Sequence, residues 1–142
     1  ANYDWTRGDD GSLAGTVQIL SNSFGIEWGQ QLTAGKRTDT TATNGSSIDT
    51  LASTSLGGQA YLQVFGLTGT SVTVTIEDSA NNSSWLPVSS FAFAAASAKG
   101  AQRIQLGSTA TLRRYLRAVT SGTFTSATFL VNFVRNTTAV SF

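Results

Sequence analysis

The run Val72-Thr-Val-Thr-Ile76 constrains the fold of this chain more than any other feature. Apolar and hydroxyl side chains alternate there with a period of two, as in a strand with one face buried and a threonine face in water. Comparable runs recur from Gly57 onward: Gln59 to Phe65, Ser71 to Glu77, Trp85 to Val88, Phe91 to Ala95, Gln102 to Leu106, Leu112 to Thr120 and Ala127 to Arg135. Between them stand Leu67-Thr-Gly-Thr70, Ser79-Ala-Asn-Asn-Ser83, Gly107-Ser-Thr109 and Ser121-Gly-Thr123, composed of residues that favour turns. Helical spacing persists nowhere beyond about three turns, and Ala94-Ala-Ala-Ser-Ala98 is too short to stand alone as a helix. The expected class is all-β, with an antiparallel β-sandwich, immunoglobulin-like or jelly-roll-like, over residues 57–142. Leu62, Val64, Val72, Val74, Ile76, Ile104, Leu116, Phe129 and Val131 are the expected core, and the run from Phe124 to Val134 its central strand.

The first 56 residues read differently. Leu13 to Leu20 and Phe24 to Trp28 form an expected β-hairpin within residues 1–29, around the polar turn Ser21-Asn-Ser23. Residues 30–56 are polar, Thr-rich and Gly-punctuated, so they read as a long extended arm or linker. A connection of that length in a compact domain is usually a functional loop or a linker.

Composition removes most chemistry. Cysteine, histidine and methionine are all absent, which excludes thiol nucleophiles, thiolate or imidazole metal ligands and a Ser-His-Asp relay. Neither Lys36 nor Lys99 lies in a Ser-x-x-Lys pattern. The only adjacent carboxylates, Asp9-Asp10 and Glu77-Asp78, sit beside turn residues, where Asp bonds the backbone two residues on. A calcium site at Glu77-Asp-Ser-Ala-Asn-Asn82 is the one metal reading that oxygen ligands allow, but its spacing matches no EF-hand, and a plain polar turn is the expectation. No catalytic residue, metal or cofactor is expected. Charged residues are 12% of the chain and the net charge is +1, so the basic footprint of a nucleic-acid binder is missing. No segment approaches the ~20 apolar residues of a membrane-spanning helix.

Two groups of side chains invite a binding reading. Arg113, Tyr115 and Arg117 share one strand face, a positive stripe suited to acidic sugars, phosphates or a neighbouring subunit's carboxylates. The plainer reading pairs these arginines with Glu77, Asp78 or Asp49. Arg114, on the face of Leu112 and Leu116, is expected to have a specific partner, because an unpaired buried charge is costly. Among the tryptophans, Trp85 follows a polar loop and is the best candidate platform for a pyranose ring, whereas Trp28 is expected to pack a strand end and Trp5 carries no separate expectation. Trp85, Arg113, Tyr115 and Arg117 are therefore the candidate glycan or subunit contacts.

A family resemblance rests on Tyr3-Asp-Trp-Thr-Arg-Gly-Asp-Asp-Gly-Ser-Leu13, Phe24-Gly-Ile-Glu-Trp-Gly29, Leu32 to Gly45, Gly58 to Phe65, Ile76 to Asn82, Arg113-Arg-Tyr-Leu-Arg-Ala-Val119 and Asn136-Thr-Thr-Ala-Val-Ser-Phe142. This text resembles the C-terminal half of the major tail proteins of actinobacteriophages with siphophage tails, over almost the whole chain. The resemblance implies that residues 1–29 are the last strands of a tail-tube-type domain, that residues 30–56 run as an arm between neighbouring subunits, and that residues 57–142 are an outward sandwich. It also implies further chain ahead of Ala1, so a fragment or processed product is expected. The function expected is self-assembly in the virion as a tail tube protein, with identical subunits and other virion proteins as partners. A capsid decoration protein and a carbohydrate-binding module for host surface glycans are its rivals.

Overall fold

The computed structural model describes residues 2–18 and 28–138, and among them there is no helix. The fold is all-β, and the described residues form nine antiparallel strands: β1 (Asn2–Arg7), β2 (Leu13–Gln18), β3 (Gln30–Gln31), β4 (Arg37–Asp39), β5 (Ile48–Asp49), β6 (Gly58–Ser79), β7 (Leu86–Ala92), β8 (Gly100–Gln105) and β9 (Tyr115–Arg135). Among the described strands the first two pair only with each other, and the other seven form one curled, sandwich-like sheet.

Its frame is a single ladder. β6, of 22 residues, pairs with β9, of 21, along nearly their full lengths, from Gly58 opposite Arg135 to Ser79 opposite Tyr115. A straight strand of that length would reach about 70 Å, whereas a domain of this size is about 35 Å across, so the ribbon has to double over. It does so where the register shifts, between Val64 and Gly66 and between Thr68 and Ser71. Gly69 (φ 136°) and Gly122 (φ 119°) supply backbone conformations that other residues adopt only with strain. A β-carbon on Gly69 would also stand 2.6 Å from the carbonyl oxygen of Thr123.

The two segments expected to be turns, Leu67–Thr70 and Ser121–Thr123, are thus the two halves of this bend, facing each other across the ladder: Leu67 pairs with Ala127 and Ser71 with Thr123. Small polar residues and glycine satisfy a bulged bend as readily as a turn. What the sequence divides into four strands is therefore two. Trp85–Val88 and Phe91–Ala95 likewise join as β7.

Doubling over brings the alternating apolar faces together. Leu62, Val64, Val72, Val74, Ile76, Leu116, Phe129 and Val131 are buried as expected, and Ile104 packs against them partly buried. Phe91 on β7 meets Phe133 from the other half edge-on, with ring centroids 6.1 Å apart. β8 flanks one half of β6, and β7 the other.

Residues 30–56 do not leave the sandwich. β3, β4 and β5 all pair with β9, and Asn44 and Thr54 bridge to Val119 and Leu112, so the expected arm is instead the sheet's edge. Its polar side chains hold it there. Arg37 donates to both oxygens of buried Asp39 (2.7 and 2.6 Å) and to the carbonyls of Ala118 and Thr43, while the Thr120 hydroxyl donates to Asp39 at 2.6 Å. Isolated threonines and glycines look like linker because the acceptors they meet lie some eighty residues away in sequence.

At the N-terminus β2 pairs with β1, from Arg7 opposite Leu13 to Asn2 opposite Gln18, a partner the sequence reading did not name; the expected strand from Phe24 to Trp28 falls on residues of which 24–27 lie outside the described ones. Asp10 accepts a 2.9 Å bond from the Ser12 amide and closes the turn, as its sequence setting implies. The Trp5 ring lies over Gly15 opposite, so close that a β-carbon there would stand 2.6 Å from Cζ3.

Two mutational outcomes follow from this frame. Gly69→Ala and Gly122→Ala each destabilise by about 2 kcal/mol in urea unfolding, because both combine positive φ with backbone contact. Gly66→Ala, open on all sides, changes stability by less than about 1 kcal/mol. Asp39→Ala costs about 3 kcal/mol by leaving Arg37, whose side chain is 16% exposed, without its carboxylate, and hydrogen exchange should show residues 37–44 loosening first.

Candidate interaction surface

The candidate residues gather at one end of the β6–β9 ladder. Arg113 lies just before β9; its backbone amide donates to Asp78 Oδ2 at 2.9 Å and its Nε stands 3.3 Å from Asp78 Oδ1. Arg117 faces Glu77 across the ladder and donates twice to its Oε2, at 2.8 and 2.6 Å. The Arg117 guanidinium also sits over the Trp85 ring, 4.4 Å from its centroid. Tyr115 lies two residues from Arg117 on β9, and Arg114 stacks over its ring at 5.2 Å. The four residues named from sequence thus do share a neighbourhood.

Their chemistry is nevertheless spoken for. Each carboxylate offered as a plain partner takes one arginine: Asp78 with Arg113, Asp49 with Arg114, Glu77 with Arg117. The stripe is a row of neutralised pairs, and one face of Trp85 is already covered by a cation. Arg114 has the specific partner expected of it, with two 2.7 Å bonds to Asp49, but it is exposed rather than buried. It precedes the first residue of β9, where strand alternation does not yet apply.

The Arg114 bonds, with the Leu51 amide donating to the same carboxylate, hold Asp49 at about 2, well below its ordinary 3.8. Arg135 has the opposite environment. Burial lowers its pKa, and its contacts are Thr50 and the Arg113 carbonyl at 3.1 Å. Its Nε and Nη1 find no acceptor among the described residues.

In the Glu77–Asn82 segment, Asn81 closes the loop by accepting from the Ser83 and Ser84 amides at 3.0 and 2.9 Å, while Glu77 and Asp78 face arginines. The described residues contain no group of three or more carboxylates that could hold a metal ion.

The most exposed aromatics lie elsewhere. Trp28, expected to pack a strand end, is 91% exposed, and Trp5 is 62% exposed. Trp5, Leu13 (66%) and Val17 (48%) occupy one face of the β1–β2 hairpin and form its uncovered apolar side. The alternation Leu13, Gly15, Val17 signalled that face in the sequence; that nothing in the sandwich would cover it was not signalled. On the outside of the first half of the curled sheet, Phe65 is 42% exposed, with Lys36 Nζ 5.8 Å from its centroid.

Comparison of the chain with protein-family models and with curated proteins gives no match.

The Asp49 pair sets a pH dependence. Its folded carboxylate is the stronger acid, so the stability it contributes is fully present above the ordinary value of 3.8 and is lost as pH falls through about 2. Carboxyl carbon NMR should find the Asp49 midpoint near 2, and Arg114→Gln should return it toward 3.8.

Proposed function

We propose that this chain is a non-enzymatic structural protein of a tailed bacteriophage that assembles with copies of itself, as the major tail tube protein or part of it. The observation that carries the reading is the β1–β2 hairpin. Two strands alone are marginally stable in water, and this pair keeps Trp5, Leu13 and Val17 exposed outside the sandwich, with no other described strand against it. A surface of that kind is suited to another chain, and repeated contacts between identical chains build rings, tubes or lattices. The choice of a tail among such assemblies rests on the resemblance of the segments quoted above, from Tyr3-Asp-Trp5 to Val140-Ser-Phe142, to tail proteins.

The inventory of side chains supports a role without catalysis. The arginines and acids that cluster on β6 and β9 bind one another, leaving no poised acid, base or nucleophile among them. The glycan reading loses support from the cation over Trp85, because a stacked guanidinium occupies one of the two ring faces open to a pyranose. A capsid decoration protein would carry the same uncovered hairpin, so it is the rival that imaging has to separate.

Gold-labelled antibody on intact virions should mark the whole tail length. Labelling of the head alone replaces the tube reading with decoration. Purified protein that stays monomeric at high concentration and is missing from virions, or that turns over a substrate, ends the structural reading. Trp85→Ala should leave retention on bacterial-envelope glycans unchanged; loss of retention would favour adhesion.

A further inference from the structure

We propose that the β1–β2 hairpin of one copy docks head to tail on the lysine-flanked Phe65 face of a second copy. This contact rests on the self-assembly reading and names the two surfaces that meet. The hairpin supplies an apolar patch, through Trp5, Leu13 and Val17, on a face whose turn end also carries exposed Arg7 opposite Leu13, and an acidic turn, through exposed Asp9 and Asp10. Residues 2–18 hold three carboxylates, Asp4, Asp9 and Asp10, against the single cation Arg7.

Residues 28–138 have the opposite balance, with eight cations and four carboxylates, and all four carboxylates are already ion-paired to arginines. An acidic hairpin therefore repels a second hairpin and is attracted to a second sandwich.

The two outer faces of the curled sheet are not equivalent. Near Arg117 and Glu77 the charges cancel. On the other half, residues 58–66, 100–105 and 127–135 contain no carboxylate. There Phe65 is 42% exposed, and exposed Lys36 reaches over it. The pairing of Val64 with Gly100 brings exposed Lys99 alongside. An apolar centre flanked by two ammonium groups complements an apolar hairpin face with two carboxylates at its tip. Donor and acceptor are different surfaces, so the contact is heterologous and repeats from copy to copy instead of closing a two-fold dimer.

Sedimentation velocity on the whole chain tests the contact, using Asp9→Lys, the double variant Lys36→Asp with Lys99→Asp, their mixture, and the three changes combined in one chain. All three sites are exposed, and circular dichroism checks that each variant folds. Wild type should associate with increasing concentration; each charge reversal should weaken association by roughly tenfold or more. Mixing the two variants should restore it, because each then meets an opposite charge. Rescue only within one chain would place the hairpin on its own sandwich and overturn the proposal, as would association indifferent to every reversal. A wild type that never associates defeats the self-assembly reading itself, an outcome distinct from either of these.

Discussion

Everything in the sandwich depends on the antiparallel ladder between β6 and β9. More than forty residues lie in these two strands. Because they pair from end to end, the main-chain hydrogen bonds of both halves belong to one continuous ribbon. Bending that ribbon turns a flat amphipathic pair into two facing layers, and the remaining strands add to its edges. The apolar residues of both halves then form one cluster, from Leu62 and Val64 through Val72, Val74 and Ile76 to Phe129, Val131 and Phe133. The bend is possible because each strand carries a glycine with positive φ there, at Gly69 and Gly122.

Charge is used sparingly, with two ion pairs at the edge strands β4 and β5 and two between β6 and the start of β9. Arg37 and Asp39 tie the segment after β3 to β9, Arg114 and Asp49 tie β5 to the start of β9, and Arg113 and Arg117 engage Asp78 and Glu77 on β6. These pairs differ in kind. Asp39 and Asp78 are buried, so removing a partner would strand a charge, whereas the Arg114–Asp49 pair is exposed and solvent-screened, contributing little net stability. A consequence for function is that the arginine cluster most visible in the sequence is satisfied within the chain. The unsatisfied surfaces are instead an apolar hairpin and a phenylalanine between lysines.

Much of the core was legible because strand alternation needs only local sequence. Val72, Val74 and Ile76 are buried at every second position wherever the strand ends up, and the same holds for Leu62 and Val64. The arginine partners were legible as a set, Asp49, Glu77 and Asp78, because few carboxylates are present and an arginine on a strand needs an opposite charge within reach. Strand number and the fate of residues 30–56 were not legible. Glycine with small polar neighbours marks a place where the chain can change direction, but it does not say whether the two strands around it separate or continue. Polar edge segments are equally ambiguous, because their hydrogen-bonding partners are distant: Thr43 meets Thr120, and Thr54 meets Asn136.

The amino-acid sequence alone determined the all-β class, the inward residues of each long strand and the absence of thiol or imidazole chemistry, since these follow from side-chain identity and a two-residue period. Only the tertiary structure decided that two apparent turns are one bend, that a Thr-rich stretch is a sheet edge and that Trp5, Leu13 and Val17 remain uncovered. The physical reason is that exposure and pairing are properties of what lies across the ladder, set by residues tens of positions away. No local pattern of alternation or turn chemistry contains that information.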